Sequence, residues 1–569
     1  MSKAGCMLGV ATYPSKRFRG QKRDNRRRNT ALAVLLTLGC AASQGVSQAA
    51  NAGVSQVWNP DLGDGQYKNP VLFADYADPD AIRVGNDFYL VSSSFESAPA
   101  LPILHSTDLV HWQIIGHALQ RQVPEDRFAT PQHGKGVWAP SIRLHAGEFY
   151  IYYPDPDVGI YMIKAKAITG PWSAPVLVKA AKGWIDPCPL WDEDGKAYMV
   201  NALAGSRAGA KSVVLVSRMS ADGAHMLDGG AIAIDGHGLD ATLEGPKIYK
   251  RNGYYYVFAP SGGVTGGVQV VFRSRSIYGP YERRVVLAQG TTTMNGPHQG
   301  AWVTTAAGED WFLHFSDRGP YGRVTNLEPM AWGADGWPRM GVHQNAQGTG
   351  EPVLTYKNPR VIGHATYTPA DSDEFNAPAL GLQWQWQANP QPTWGFPAPA
   401  VGALRLINVP TGTDDIDLRN LPNVLLQKFP GPEFTATTKV RFVSHQNGEQ
   451  TGLVVLGMSY SALIVEEHDD HLLLRQETRL EDGAAPVAGG KSVPVHAAYG
   501  VVYLRAAVSA NAKVQFSFST DGAQFQAIGA PFTATAGTWI GARIGVYATG
   551  THSTGEFGYA DFDWFRFTH

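Results

Sequence analysis

Asp78-Pro-Asp-Ala-Ile-Arg-Val-Gly85, followed by DFYLVSSSF (87–95), decides the fold, because its pattern returns four more times along the chain. A small or polar anchor, often beside proline, leads into an apolar strand, a turn with glycine and an aromatic-rich strand. The second copy is Ala139-Pro-Ser-Ile-Arg-Leu-His-Ala-Gly147 with EFYIYY, and the third is Asp186-Pro-Cys-Pro-Leu-Trp-Asp-Glu-Asp-Gly195 with KAYMV. The fourth is Glu244-Gly-Pro-Lys-Ile-Tyr-Lys-Arg-Asn-Gly253 with YYYVFAP, and the fifth is His298-Gln-Gly-Ala-Trp-Val with DWFLHF after Gly308. Successive anchors lie roughly 45 to 60 residues apart, the size of a four-stranded propeller blade. GIYMIKAKAITGPW (159–172) and VQVVFRSRSIYGPYE (268–282) supply outer strands with similar turns. A β-sandwich also contains many strands, but it does not predict five copies in like order. The pattern predicts a five-bladed β-propeller over residues 59–353.

Composition agrees with an all-β chain. At 569 residues the sequence is too long for one core. Aromatics make up 11% and charged residues 17%, with 63 glycines and 37 prolines, which suits short strands joined by tight turns. No amphipathic helical pattern stands out. From about Thr366 the anchored repeats stop. DSDEFN (371–376), LQWQWQANP (382–390) and FGYADFDWFRFTH (557–569) bracket alternating strands such as TATTKVRFV (435–443) and VVYLRAAV (501–508). These predict a second domain over 366–569, a β-sandwich whose first and last strands pair.

Residues 1–50 read differently. Nine basic residues from Lys3 to Arg28, against one acidic residue, precede the apolar run Ala31–Ala42 and a small-residue stretch ending at Ala50. That order is a cleaved secretory signal, and a dozen apolar residues are too few to span a membrane. A secreted or periplasmic protein is the expectation. Removing this leader takes the formal charge from −2 to −10. An acidic body without basic clusters argues against nucleic acid as a partner. Cys188 is then the one cysteine clear of the leader, so no internal disulfide framework is expected.

The repeat directs attention to its anchors. A blade's innermost strand runs along the central channel, so equivalent anchors converge around the axis. Four of the five, Asp78, Asp186, Glu244 and His298, are ionisable. Carboxyl groups gathered at one mouth perturb each other's proton affinity, which marks a functional site. Glycoside hydrolysis needs such a set: one carboxyl stays protonated for the leaving oxygen, another stays ionised, and a third negative charge raises the acid's pKa.

These stretches, with NPVLFADYADPDAIRVGNDFYLVSSSF (69–95), GVWAPSIRLHAGEFYIYY, WIDPCPLWDEDGKAYMV and LEGPKIYKRNGYYYVFAPSGG, resemble glycoside hydrolase family 43 through the whole propeller. The tail is similar to the concanavalin A-like sandwich of its β-xylosidases and α-L-arabinofuranosidases. The resemblance implies exo-acting, inverting hydrolysis of plant-derived oligosaccharides, releasing terminal α-L-arabinofuranosyl or β-D-xylosyl residues, with the former slightly favoured. It implies Asp78 as general base, Asp186 as the carboxylate that tunes and orients the acid, and Glu244 as general acid. Asp80 is the second choice for the base, since strand alternation places it on the same face as Asp78, and Asp75 is a more distant candidate for the pocket wall. Arg323, Phe95 and Trp138 match sugar-binding positions, although an inter-blade salt bridge or propeller core would also account for them. Glu96-Ser97-Ala98 departs from the bulkier aromatic stretch of many xylosidases. His298 matches a channel histidine, so a structural Ca²⁺ and a simple hydrogen-bonded histidine are both open; no cofactor is required. A carbohydrate-binding propeller without catalysis, and a retaining fructan-active enzyme, are the competing classes.

Overall fold

The computed structural model describes residues 53–569, apart from residues 364–365, 469–470, 482, 484 and 552–554. The leader assigned to residues 1–50 lies outside the described residues. Hairpins form where the repeat puts its glycine. Ala146-Gly147 (φ +49° and +80°) and Asn252-Gly253 (φ +51° and +74°) carry positive φ at both turn positions. Two-residue turns of this kind match the twist of the strands they join.

Four four-stranded antiparallel sheets follow in chain order. Their innermost strands are Asp80–Val84, Ser141–His145, Trp184–Trp191 and Lys247–Arg251. The fifth sheet contains His298–Thr304, Asp310–Asp317 and Arg323–Trp332, and it takes a further strand, Leu72–Asp75, from ahead of the first blade. That borrowed strand closes the ring. The long strand Arg323–Trp332 pairs with Leu72–Asp75 near its start and with Pro338–Met340 near its end.

Each pair of neighbouring blades shares one apolar cluster. Ile103 and Ile142 belong to the first, Tyr152 and Met199 to the second, and Val200 and Val257 to the third. Phe258 and Phe312 belong to the fourth, and Leu90 and Leu313 to the one that closes the circle. The strands alternate so that each sheet face meets the next blade, which leaves the axis for polar groups.

The rest of the chain forms two packed sheets of nine and seven strands. Leu425, Leu453, Ile544 and Val546 of one sheet share a core with Leu404, Phe434, Val440 and Phe562 of the other. The expected pairing of the sandwich's two ends narrows to one bridge, Asp373 with Phe565, while Gln385–Trp386 joins the opposite sheet. The sandwich docks on the propeller through backbone: Ala98 and Trp386 exchange both hydrogen bonds (3.0 and 2.6 Å). Asn389 adds two more, accepting from Gln122 N–H (2.7 Å) and donating to its carbonyl (2.9 Å).

Candidate active site

All five repeat anchors, Asp78, Ala139, Asp186, Glu244 and His298, line one pocket. A local backbone feature turns several of them inward. Asp78 (φ +54°) and Asp186 (φ +56°) are left-handed, as are Gly245 (φ +60°) after Glu244 and Gln299 (φ +33°) after His298. The strand register slips between Ile185 and Cys188, and again between His298 and Gly300. Left-handed backbone costs a residue with a side chain about 1–2 kcal/mol, and here it aims carboxylates at the pocket.

This backbone corrects the expectation for Asp80. The strand begins only at Asp80, so alternation does not run back to Asp78. Asp80 is fully buried instead, accepting from Ile142 N–H (2.8 Å) and from Arg143 Nη1 (2.6 Å). It pins the second blade to the first. Asp75 is likewise absent from the pocket lining, buried behind it.

Asp78 is clamped by donors. Arg323 Nη1 donates to both its oxygens (2.9 and 3.1 Å), and Ser93 Oγ donates to Oδ2 (2.6 Å). Burial opposes the Arg323 charge, but Asp78, then Asp75, Asp317 and Glu244, more than offset this and hold the guanidinium above its ordinary value. The same pair crosses from the fifth blade to the entry of the first, so Arg323 is both an inter-blade salt bridge and a pocket residue.

Asp186 is placed beside carboxylates instead. Burial first, then the charge of Glu244 and that of Asp78, push it up to about 8, against the pull of Gly245 N–H and Lys247. Gly245 N–H donates to Asp186 Oδ2 (2.7 Å), tying it to the residue beside Glu244. Lys247 is wholly buried, donating to the Pro140 carbonyl (2.8 Å) and Ser141 Oγ (3.0 Å), and Ser141 in turn donates to the Pro187 carbonyl. Near neutral pH Asp186 therefore keeps its proton. Glu244, with its side chain 25% exposed, is open to the pocket.

His298 Nε2 lies 3.2 Å from Glu244 Oε1 without hydrogen-bond alignment, and neither ring nitrogen of this buried side chain has a hydrogen-bond partner among the described residues. Nor do the described residues contain a group of three or more His, Cys, Asp or Glu side chains placed to hold a metal. Calcium takes six to eight oxygens, and one imidazole beside one carboxylate does not make that cage. The donors do not fit a protein-built Ca²⁺ site, and no step below passes through one.

The walls are aromatic. Phe95 and Trp138 line the pocket and also pack with Ala77 and Ile540, so site and core coincide there. Opposite stands Trp539, 48% exposed, on a sandwich loop; its ring meets Trp138 edge-on at 6.0 Å. Sequence reasoning missed Trp539, Gln299, Ile185 and Val264. Gln299, beside an anchor, could have been found by position; nothing local marks Trp539. Glu96 and Ser97, where aromatic bulk was expected, bind the sandwich: Arg543 donates to Glu96 Oε1 (3.3 Å) and to Ser97 Oγ (3.1 Å).

Comparison with known proteins agrees with this geometry. Residues 67–338 match Glycosyl hydrolases family 43, and residues 372–568 match the Beta xylosidase C-terminal Concanavalin A-like domain. A putative beta-xylosidase of Xylanibacter ruminicola is 39% identical over 86% of this chain and 87% of its own. A non-reducing end alpha-L-arabinofuranosidase of Bacteroides ovatus is 31% identical over 90% and 96%. Among solved structures, a xylan beta-1,4-xylosidase from Bacillus halodurans superposes with a TM-score of 0.77 at 25% identity, covering 88% of this chain and 100% of that one. Sequence profile, full-length relatives and fold converge, and the chain belongs to glycoside hydrolase family 43.

Proposed function

We propose that the protein removes single α-L-arabinofuranosyl or β-D-xylosyl residues from the non-reducing ends of plant-derived oligosaccharides, with inversion. The observation that carries this reading is the meeting of Asp78, Asp186 and Glu244, from three blades, in one pocket, with Asp78 clamped by Arg323 and Asp186 held protonated. Asp78, clamped by Arg323 and Ser93, takes a proton from water as the oxygen attacks the anomeric carbon. Glu244 gives its proton to the departing glycosidic oxygen, so that bond breaks as the new one forms and the anomer inverts. Asp186, bonded to Gly245 N–H, orients the acid from the neighbouring residue. Phe95, Trp138 and Trp539 offer ring faces to sugar C–H groups.

Trp539 supports exo action, because a sandwich side chain walls one side of the pocket. Full-length relatives named for xylose and for arabinose support keeping both sugars. The basic, then apolar, then small-residue order of residues 1–50 supports action outside the cytoplasm. No helix among the described residues is long and apolar enough to cross a membrane.

Release of 4-nitrophenol from the α-L-arabinofuranoside and β-D-xyloside tests the reading, with proton NMR identifying the first-formed anomer. Turnover with inversion is expected. A retained anomer, or no turnover of any pentoside, would overturn it.

A further inference from the structure

The buried carboxylate of Asp75 is not a lining group of the pocket and has no cation within salt-bridge distance among the described residues, yet it joins three elements that build the site. Its Oδ1 accepts from Arg323 N–H (2.8 Å), at the start of the strand whose side chain clamps Asp78. Its Oδ2 accepts from Gly541 N–H (2.8 Å), in the sandwich loop that presents Trp539. Asp75 itself ends the ring-closing strand, three residues ahead of Asp78.

Close packing shows how tightly these elements are fitted. A Cβ on Gly322 would lie 2.4 Å from Asp75 Cγ, and one on Gly541 would lie 2.7 Å from Gly322 N. Ala542 N–H donates to the Pro320 carbonyl (2.6 Å), and Ile540 is buried against Ala77 and Phe95. Trp539 is held at φ +65°, a backbone state that its bulky side chain does not favour, in a loop whose Gly537 N–H donates to the Ile540 carbonyl (2.8 Å). Two N–H groups sharing the Asp75 carboxylate tie that loop to the start of the Arg323 strand. Charge-assisted bonds of this type are about twice as strong as neutral ones.

Resting on the pentosidase reading above, we propose that Asp75 is a positioning residue that sets the Trp539 wall and the Arg323–Asp78 clamp together, so that the site is complete only with the sandwich docked. Substrate affinity and turnover are then coupled through a group that never meets the sugar.

The test compares Asp75→Ala, Asp75→Asn, Trp539→Ala and the Asp75→Ala/Trp539→Ala double variant in the full chain. With 4-nitrophenyl pentosides, Asp75→Ala is expected to lower kcat/KM by about tenfold or more, with a raised KM. The double variant should raise KM by less than the product of the two single effects, since the wall is already lost and only the clamp is left to disturb. Asp75→Asn keeps the side chain's size and one acceptor oxygen, and should move both constants the same way by less. A second readout needs no catalysis: acrylamide quenching of the Trp539 signal, taken as the difference from Trp539→Phe, should rise when Asp75 is changed. If the wild type cleaves no pentoside, the functional reading fails while the quenching still tests the anchor. KM effects that multiply in the double variant, or wild-type constants and quenching in Asp75→Asn, would overturn the proposal, even if the alanine variant does not fold.

Discussion

Arg543→Met tests how firmly the sandwich is joined to the catalytic domain. Glu96 and Arg543 face each other across the domain seam at 3.3 Å, with side chains 2% and 7% exposed. Glu96 Oε2 also accepts from Gly134 N–H (2.8 Å), while Arg543 Nε has no partner. Removing one member of a buried pair costs about 3–5 kcal/mol, because the other charge stays buried and unpaired, whereas replacing both is close to neutral. For a unit the size of the sandwich, each kcal/mol moves Tm by about 2–4 °C, so Arg543→Met should lower the sandwich transition by about 6–20 °C. Glu96→Gln should fall in the same range, since it strands the guanidinium. The double change should recover at least half of the loss. Differential scanning calorimetry reads the transitions, and limited proteolysis shows whether the sandwich detaches first. Shifts under 2 °C for both single variants, or losses that simply add in the double, would refute the reasoning.

Other consequences concern the chemistry. Glu244→Gln should lose several orders of magnitude on alkyl glycosides but far less on 2,4-dinitrophenyl glycosides, whose leaving group needs no proton; equal loss across leaving groups would contradict its role. Asp78→Asn should abolish turnover for good and poor leaving groups alike, because water activation is lost, and full single-turnover activity on the dinitrophenyl substrate would reject it as the base. Asp186 loses its proton near pH 8, so kcat/KM should show an inflection near that value, and the inflection should be absent in Asp186→Asn. An aspartate whose folded pKa is raised loses stability for the fold as pH climbs from about 4, its unfolded value, through about 8. Asp186→Asn should therefore flatten the fall in Tm between pH 5 and pH 9, and an unchanged slope would count against the buried carboxyl.

The five-fold return of an anchor, a strand, a glycine turn and an aromatic strand was enough to specify the propeller, because a blade is a local unit whose hairpins are encoded within about 50 residues. The same periodicity brought Asp78, Asp186, Glu244 and His298 into one pocket, since equivalent positions in a ring share an axis. What lay beyond it was everything fixed by contacts distant in the chain. The left-handed backbone at Asp78, which parts it from Asp80, depends on partners in other blades. Trp539 has no distinguishing neighbours in sequence and enters the pocket only because Asp75, Ile540 and the Glu96–Arg543 pair seat the sandwich there. Strand periodicity is a property of a segment, whereas a pocket wall built from two domains exists only once their surfaces meet, and no local pattern encodes that meeting.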